Sequence, residues 1–108
     1  MTELSFRSVV RIDALTDGTV VPQYVEDRKL RIALARVEGQ VYAFDDLCTC
    51  GPESCPLSSG LLSGRTIMCQ CHGSWFDITT GNVLAGPAGP LRVYDVRETD
   101  GDLEVRLS

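Results

Sequence analysis

Apolar and polar residues alternate over several short stretches of this chain. In KLRIALARV, residues 29–37, leucine and isoleucine alternate with arginine and alanine, a period of two that predicts a half-buried strand. QVYAF follows after Glu38 and Gly39, and a glycine that takes a positive φ predicts a hairpin between the two runs. TVVPQYVED, just upstream, is a further β-rich run. The first part of the chain is therefore predicted to form antiparallel strands.

The C-terminal end shows the same period. LRVYDVRE and LEVRL flank Asp100-Gly101, which predicts a hairpin with a primed turn. A short strand at residues 66–68 and a hairpin of WFDI with NVL are predicted upstream of it. No stretch keeps a 3.6-residue period, and residues 11–15 are the one candidate for a helical turn. We expect an all-β fold of roughly eight to ten short antiparallel strands.

Three irregular loops interrupt the strands, and Gly, Pro, Ser and Cys are frequent in them. The first spans residues 45–64, the second follows the short strand at residues 66–68, and the third spans residues 85–90. All five cysteines and the single histidine lie within the 25 residues from Cys48 to His72. Such clustering predicts a shared metal site. The spacing supplies one pair of ligands from Cys48 and Cys50 and a second pair from Cys69 and His72, with Cys55 and Cys71 left over.

A thiolate-rich ligand set selects zinc, monovalent copper or an iron–sulfur cluster. Gly51, Gly73 and Ser74 favour the cluster, because backbone N–H groups and hydroxyls stabilise the negative charge on sulfides and thiolates. Zinc needs fewer such donors. Ligand chemistry alone leaves both metals open.

Composition and net charge limit the number of domains and the kinds of partner that the chain can have. The 108 residues, 44% of them hydrophobic, suit one domain spanning 1–108. A net charge of −5 argues against a nucleic-acid partner and is typical either of a solubilising surface or of a docking face for a basic redox protein. The chain shows no signal peptide and no membrane-spanning run, so we expect a cytoplasmic location. Arg31 is expected to be solvated. Asp45 and Asp46, which precede the first ligand, are expected either to be solvated or to steer a basic partner.

The motifs resemble a known family. Cys48, the run from Cys55 to Gly60, the run from Cys69 to Asp77, Thr80-Gly81 and the Gly86–Ala88 loop together resemble Rieske-type iron–sulfur proteins. The resemblance implies a [2Fe-2S] cluster and a small antiparallel β-sandwich or barrel. It also implies a cluster-binding subdomain within residues 45–90, at one end of the fold. The third loop, with Gly86 and Pro87, is implied to cover the cluster.

The ligands follow from the same resemblance. Cys48 and Cys69 match the cysteine pair of the family, and His72 matches the second-loop histidine. Cys50 stands where the family has its first-loop histidine, so Cys₃His ligation is predicted. An added thiolate charge disfavours the extra electron, and we expect a potential below the usual Rieske range. The resemblance further implies a disulfide between Cys55 and Cys71, and the alternative is two partly buried thiols.

A protein of this kind resembles the Rieske ferredoxins, which carry single electrons from a reductase to an oxygenase. No catalytic residues are predicted, because a Rieske oxygenase needs a mononuclear iron held by two histidines and a carboxylate, and this chain has one histidine. The alternatives are a structural zinc domain and a regulatory or sensor domain with a labile cluster.

Overall fold

The structure is a computed structural model that describes residues 6–25, 29–47, 55–70, 73–86 and 89–106. Those residues form eleven strands: β1 (Phe6–Arg11), β2 (Thr19–Val25), β3 (Leu30–Val37), β4 (Gln40–Asp45), β5 (Leu61–Ser63), β6 (Thr66–Met68), β7 (Trp75–Asp77), β8 (Val83–Ala85), β9 (Val93–Tyr94), β10 (Val96–Thr99) and β11 (Asp102–Arg106). Their helical content is two single 3-10 turns, Ile12–Ala14 and Leu57–Ser59. The all-β prediction is confirmed.

The strands form three antiparallel sheets. One has the order β1-β11-β10, the second β2-β3-β4-β9 and the third β5-β6-β7-β8. The third sheet is built from residues 61–85, so the two loops that carry the predicted ligands adjoin it. The second sheet lies between the other two and contributes to both hydrophobic cores.

Strand β3 shows how the layers pack. Ile32 and Leu34 contribute to the core shared with Leu103 and Val105 of β11. Its small residues on the opposite face, at positions 33 and 35, belong to the core shared with β6 and β7. The prediction of a half-buried strand is therefore wrong, because the third sheet covers the alanine face, where short side chains leave room for it.

The predicted hairpins are confirmed. The turn between β10 and β11 has positive φ at Asp100 (52°) and Gly101 (84°), as a primed turn requires. The turn between β3 and β4 has the same signature at Glu38 (51°) and Gly39 (82°). LRVYDVRE, by contrast, divides at Asp95, where the chain leaves the second sheet for the first. This division raises the number of strands above that expected.

Part of the stretch predicted to be irregular, residues 45–64, has regular structure. Strand β5 pairs with β6, and its residues Leu61, Leu62 and Ser63 oppose Met68, Ile67 and Thr66. The hydrophobic pattern did not predict this three-residue strand, because turn-forming residues flank it on both sides. Over the described part of the chain, no helix is long and apolar enough to cross a membrane.

Candidate metal centre

The structure describes five of the predicted site residues, namely Cys55, Cys69, Gly73, Ser74 and Gly86. The other six lie outside the described residues: Cys48, Cys50, Gly51, Cys71, His72 and Pro87. The described residues nevertheless define the ends of both ligand-bearing loops.

The second loop is closed at its base by two backbone hydrogen bonds. The Cys69 N–H donates to the Ser74 carbonyl at 2.8 Å, and the Gly73 N–H donates to the Cys69 carbonyl at 2.8 Å. Gly73 has φ of +73°, a conformation that favours glycine and lets the chain turn back on itself. Cys69 is fully buried and belongs to the core beneath the third sheet. The backbone of the predicted ligand is thus fixed by the fold.

Ser74 lies at the other end of this loop. Its side chain is fully buried, and its Oγ has no hydrogen-bond partner among the described residues. Buried hydroxyls are normally satisfied, because leaving one without a partner costs about 1–3 kcal/mol. A hydroxyl in this position, next to a buried thiol, is suited to donate to a sulfide or a thiolate.

The third loop packs directly on Ser74. A Cβ placed on Gly86 would lie 2.5 Å from Ser74 Oγ and 2.7 Å from Ser74 Cα, and Gly86 has φ of +99°. Only glycine satisfies both conditions. The close approach brings the loop that follows β8 against the loop that precedes β7.

The turn between β7 and β8 aligns the two strands that carry Ser74 and Gly86 at their outer ends. Asp77 Oδ1 accepts hydrogen bonds from Thr79 N at 2.8 Å and Thr79 Oγ1 at 2.6 Å. These bonds, first of all the one from the hydroxyl, hold the pKa of Asp77 below its usual range. The Gly81 N–H donates to the Asp77 carbonyl at 2.7 Å and completes the turn.

The first loop is anchored by Asp46, a residue that was expected to be solvated. Asp46 is fully buried, and its carboxylate accepts hydrogen bonds from Arg31 and Ser58. The neighbouring Asp45 accepts a hydrogen bond from the Tyr94 hydroxyl at 2.5 Å. The pKa of Tyr94 is raised mainly by burial and, to a smaller extent, by this hydrogen bond. The expectation of solvation is wrong for Asp46, since β3 and the 3-10 turn at Leu57–Ser59 surround its carboxylate. Alternation along β4 could have indicated the burial of Phe44 but not that of a carboxylate beyond the strand end.

Cys55 lies just before the point where the first loop rejoins the fold. It is half-buried and takes part in a disulfide bond, and its partner lies outside the described residues. The pairing with Cys71 remains a prediction.

These groups fit an iron–sulfur cluster. The described part of the site offers a buried thiol, a buried hydroxyl with no partner among the described residues, and a close contact between two loops at Gly86. The sequence profile of the Rieske [2Fe-2S] domain matches residues 5–95. The chain belongs to the Rieske [2Fe-2S] domain family.

Individual relatives support the assignment to this family. The ferredoxin component of the naphthalene 1,2-dioxygenase system of Pseudomonas putida is 39% identical over 89 residues, which are 82% of each chain. The structure of a ferredoxin from Sphingomonas yanoikuyae B1 superposes with a TM-score of 0.87 at 31% identity, covering 96% of this chain and 100% of that one.

A second solved structure contains a ferredoxin together with its oxygenase. It is described as the complex of reduced oxygenase and oxidised ferredoxin in carbazole 1,9a-dioxygenase, and it matches with a TM-score of 0.83 at 30% identity. The match covers 96% of this chain and 94% of that one. The Rieske fold expected from the resemblance is confirmed, and as a Rieske protein this chain binds a [2Fe-2S] cluster.

Proposed function

We propose that this Rieske protein is a ferredoxin that carries single electrons from a reductase to an oxygenase. The observation that carries the proposal is the closed Cys69–Ser74 loop, with a buried thiol at one end and a buried hydroxyl without a described partner at the other. When bound, a [2Fe-2S] cluster supplies reversible one-electron chemistry. The relatives named above, ferredoxins of aromatic-ring dioxygenase systems, support the same role and the same two partners.

The roles of the chain's own residues follow from the site. Cys69 supplies a thiolate from a backbone position that two hydrogen bonds fix. The Ser74 hydroxyl would donate a hydrogen bond to a sulfur of the cluster and would thereby stabilise the added negative charge of the reduced state. Gly86 lets the third loop lie against Ser74.

We further propose that Cys48, Cys50, Cys69 and His72 are the four ligands. The proposal rests on the family motif and on the single histidine, which cannot complete the two-histidine set from one chain. Since a third thiolate adds negative charge, the midpoint potential is expected below about −150 mV, the lower end of the Rieske range.

The test of carrier function compares wild type with Cys50→His and Cys50→Ser. Stopped-flow mixing of the reduced protein with a Rieske oxygenase should give one electron transferred per cluster, and redox titration should give a one-electron midpoint in the range stated above. Cys50→His should raise the midpoint, because a neutral ligand replaces a charged one. A Cys50→Ser protein with unchanged EPR spectrum and potential would exclude Cys50 as a ligand, and a wild type that transfers no electrons would refute the carrier role.

Three further expectations complete the proposal. A disulfide between Cys55 and Cys71 is testable by mass spectrometry of a non-reduced digest. Cell fractionation tests the cytoplasmic location, and limited proteolysis tests whether residues 1–108 form one domain.

A further inference from the structure

The carboxylate of Asp46 joins both sides of the first loop. Asp46 Oδ1 accepts a hydrogen bond from Ser58 N at 2.6 Å, and Oδ2 accepts one from Ser58 Oγ at 3.0 Å. Oδ2 also accepts from Arg31 Nε at 2.5 Å. The carboxylate is fully buried, whereas the Arg31 side chain is 41% exposed. Asp46 is thus bonded at once to the segment after the loop and to the neighbouring strand β3.

Backbone hydrogen bonds connect Asp46 to the same two segments. The Leu57 N–H donates to the Asp46 carbonyl at 2.7 Å, and the Asp46 N–H donates to the Arg31 carbonyl at 3.1 Å. Leu47 and Pro56 form an antiparallel bridge. The segment between Leu47 and Pro56, which contains the predicted ligands Cys48 and Cys50, is therefore closed at its base around Asp46.

The proposed first-loop ligands follow this bonded segment closely along the chain. Cys48 is two residues beyond Asp46 and Cys50 is four residues beyond it. Charge-assisted hydrogen bonds are short and directional, and groups outside the ligand set commonly orient the ligands themselves. Loss of Arg31 would leave this buried carboxylate without its charged partner, which is unfavourable.

We propose that Asp46 is a positioning residue, whose carboxylate, held by Arg31 and Ser58, keeps Cys48 and Cys50 in the geometry that the [2Fe-2S] cluster requires. Asp46 is fully buried and acts through the loop. The inference rests on the proposed function, because it takes Cys48 and Cys50 as ligands.

Asp45 provides a matched control. It is the adjacent carboxylate at the end of β4, and its side chain accepts from the Tyr94 hydroxyl while its N–H donates to the Arg92 carbonyl. Those contacts lie on the side of β9 and not on the first loop. Asp45→Asn and Asp46→Asn remove the same charge from neighbouring positions and differ in whether the loop base is disturbed.

The experiment compares Asp46→Asn, Ser58→Ala and Asp45→Asn in the cluster-containing protein. For each, EPR of the reduced state gives the g values, and visible absorbance under excess chelator gives the rate of cluster loss. Asp46→Asn should shift the g values and lose the cluster about tenfold faster, the lower end of the usual effect of outer-shell substitutions. Ser58→Ala, which removes one hydrogen bond without changing the charge, should act in the same direction by about fivefold. Asp45→Asn should match wild type in both readouts.

The outcomes separate the two levels of the proposal. If wild type shows no [2Fe-2S] signal, the proposed function fails and the positioning role fails with it. If wild type has the signal, but Asp46→Asn and Ser58→Ala lower only the melting temperature and keep wild-type g values and release rates, the positioning role alone is overturned. Equal effects of Asp45→Asn and Asp46→Asn would also overturn it, since a charge effect would then suffice. If Asp46→Asn does not fold, the g values and the rate of cluster loss of Ser58→Ala decide whether the positioning role holds.

Discussion

Replacing Ser74 by alanine removes the one buried hydroxyl that lacks a hydrogen-bond partner among the described residues. Because Ser74 is fully buried, water cannot take over its role in the variant. Hydrogen bonds to charged groups contribute about 1.5–3 kcal/mol, and we take about half of this, roughly 0.75–1.5 kcal/mol, as the part that grows when the cluster gains an electron. For a one-electron couple, about 1.4 kcal/mol corresponds to about 59 mV, so the midpoint should fall by roughly 30–65 mV.

The assay is a spectroelectrochemical titration of wild type and Ser74→Ala under the same conditions. Ser63→Ala serves as the control, because Ser63 is an exposed serine in β5 of the same sheet. The control should keep the wild-type midpoint. An unchanged midpoint in Ser74→Ala, with the cluster fully retained, would show that this hydroxyl does not bond to the cluster and would refute the reasoning.

Further changes test the rest of the site. Gly86→Ala places a methyl group 2.5 Å from Ser74 Oγ and should lower cluster content after anaerobic purification. Gly89→Ala, whose Cβ would meet no atom of the described residues within 4 Å, should not. Asp77→Asn should lower the melting temperature at pH 7. Because folding lowers the pKa of Asp77, its ionised carboxylate stabilises the fold above its ordinary pKa of 3.8. This stabilisation is lost as the pH falls through the lower pKa of the folded state. The melting temperatures of wild type and Asp77→Asn should therefore converge in acid. Phe76→Ala, at a fully buried core position, should lower the free energy of unfolding by about 3–5 kcal/mol in a urea titration, and a loss below about 1 kcal/mol would contradict its core role.

The hairpins were predictable because their signals are local. Positive φ at Asp100 and Gly101 follows from two residues that tolerate it, and the alternation around them specifies which face is buried. The membership of the Rieske family was recognisable from the cysteine and histidine spacing together with the Gly-Pro-Ala segment. Short-range patterns thus predicted most of the fold and the family, and the ligand set stays a prediction.

Non-local packing was not predictable in the same way. The alanine face of β3 is buried only because a sheet formed from residues 61–85 packs on it. The burial of Asp46 depends likewise on Arg31 and Ser58, which are 15 and 12 residues away along the chain. An acidic residue before a cysteine loop is most often solvated, and only the assembled sheets show that this one is enclosed.

The central claim is that this chain holds a [2Fe-2S] cluster for one-electron transfer. Iron and acid-labile sulfide analysis of the anaerobically purified protein, combined with EPR of the reduced state, tests it most directly. We expect two iron and two sulfide ions per chain and a rhombic signal that integrates to one unpaired electron. A colourless protein with bound zinc and no acid-labile sulfide would contradict the claim.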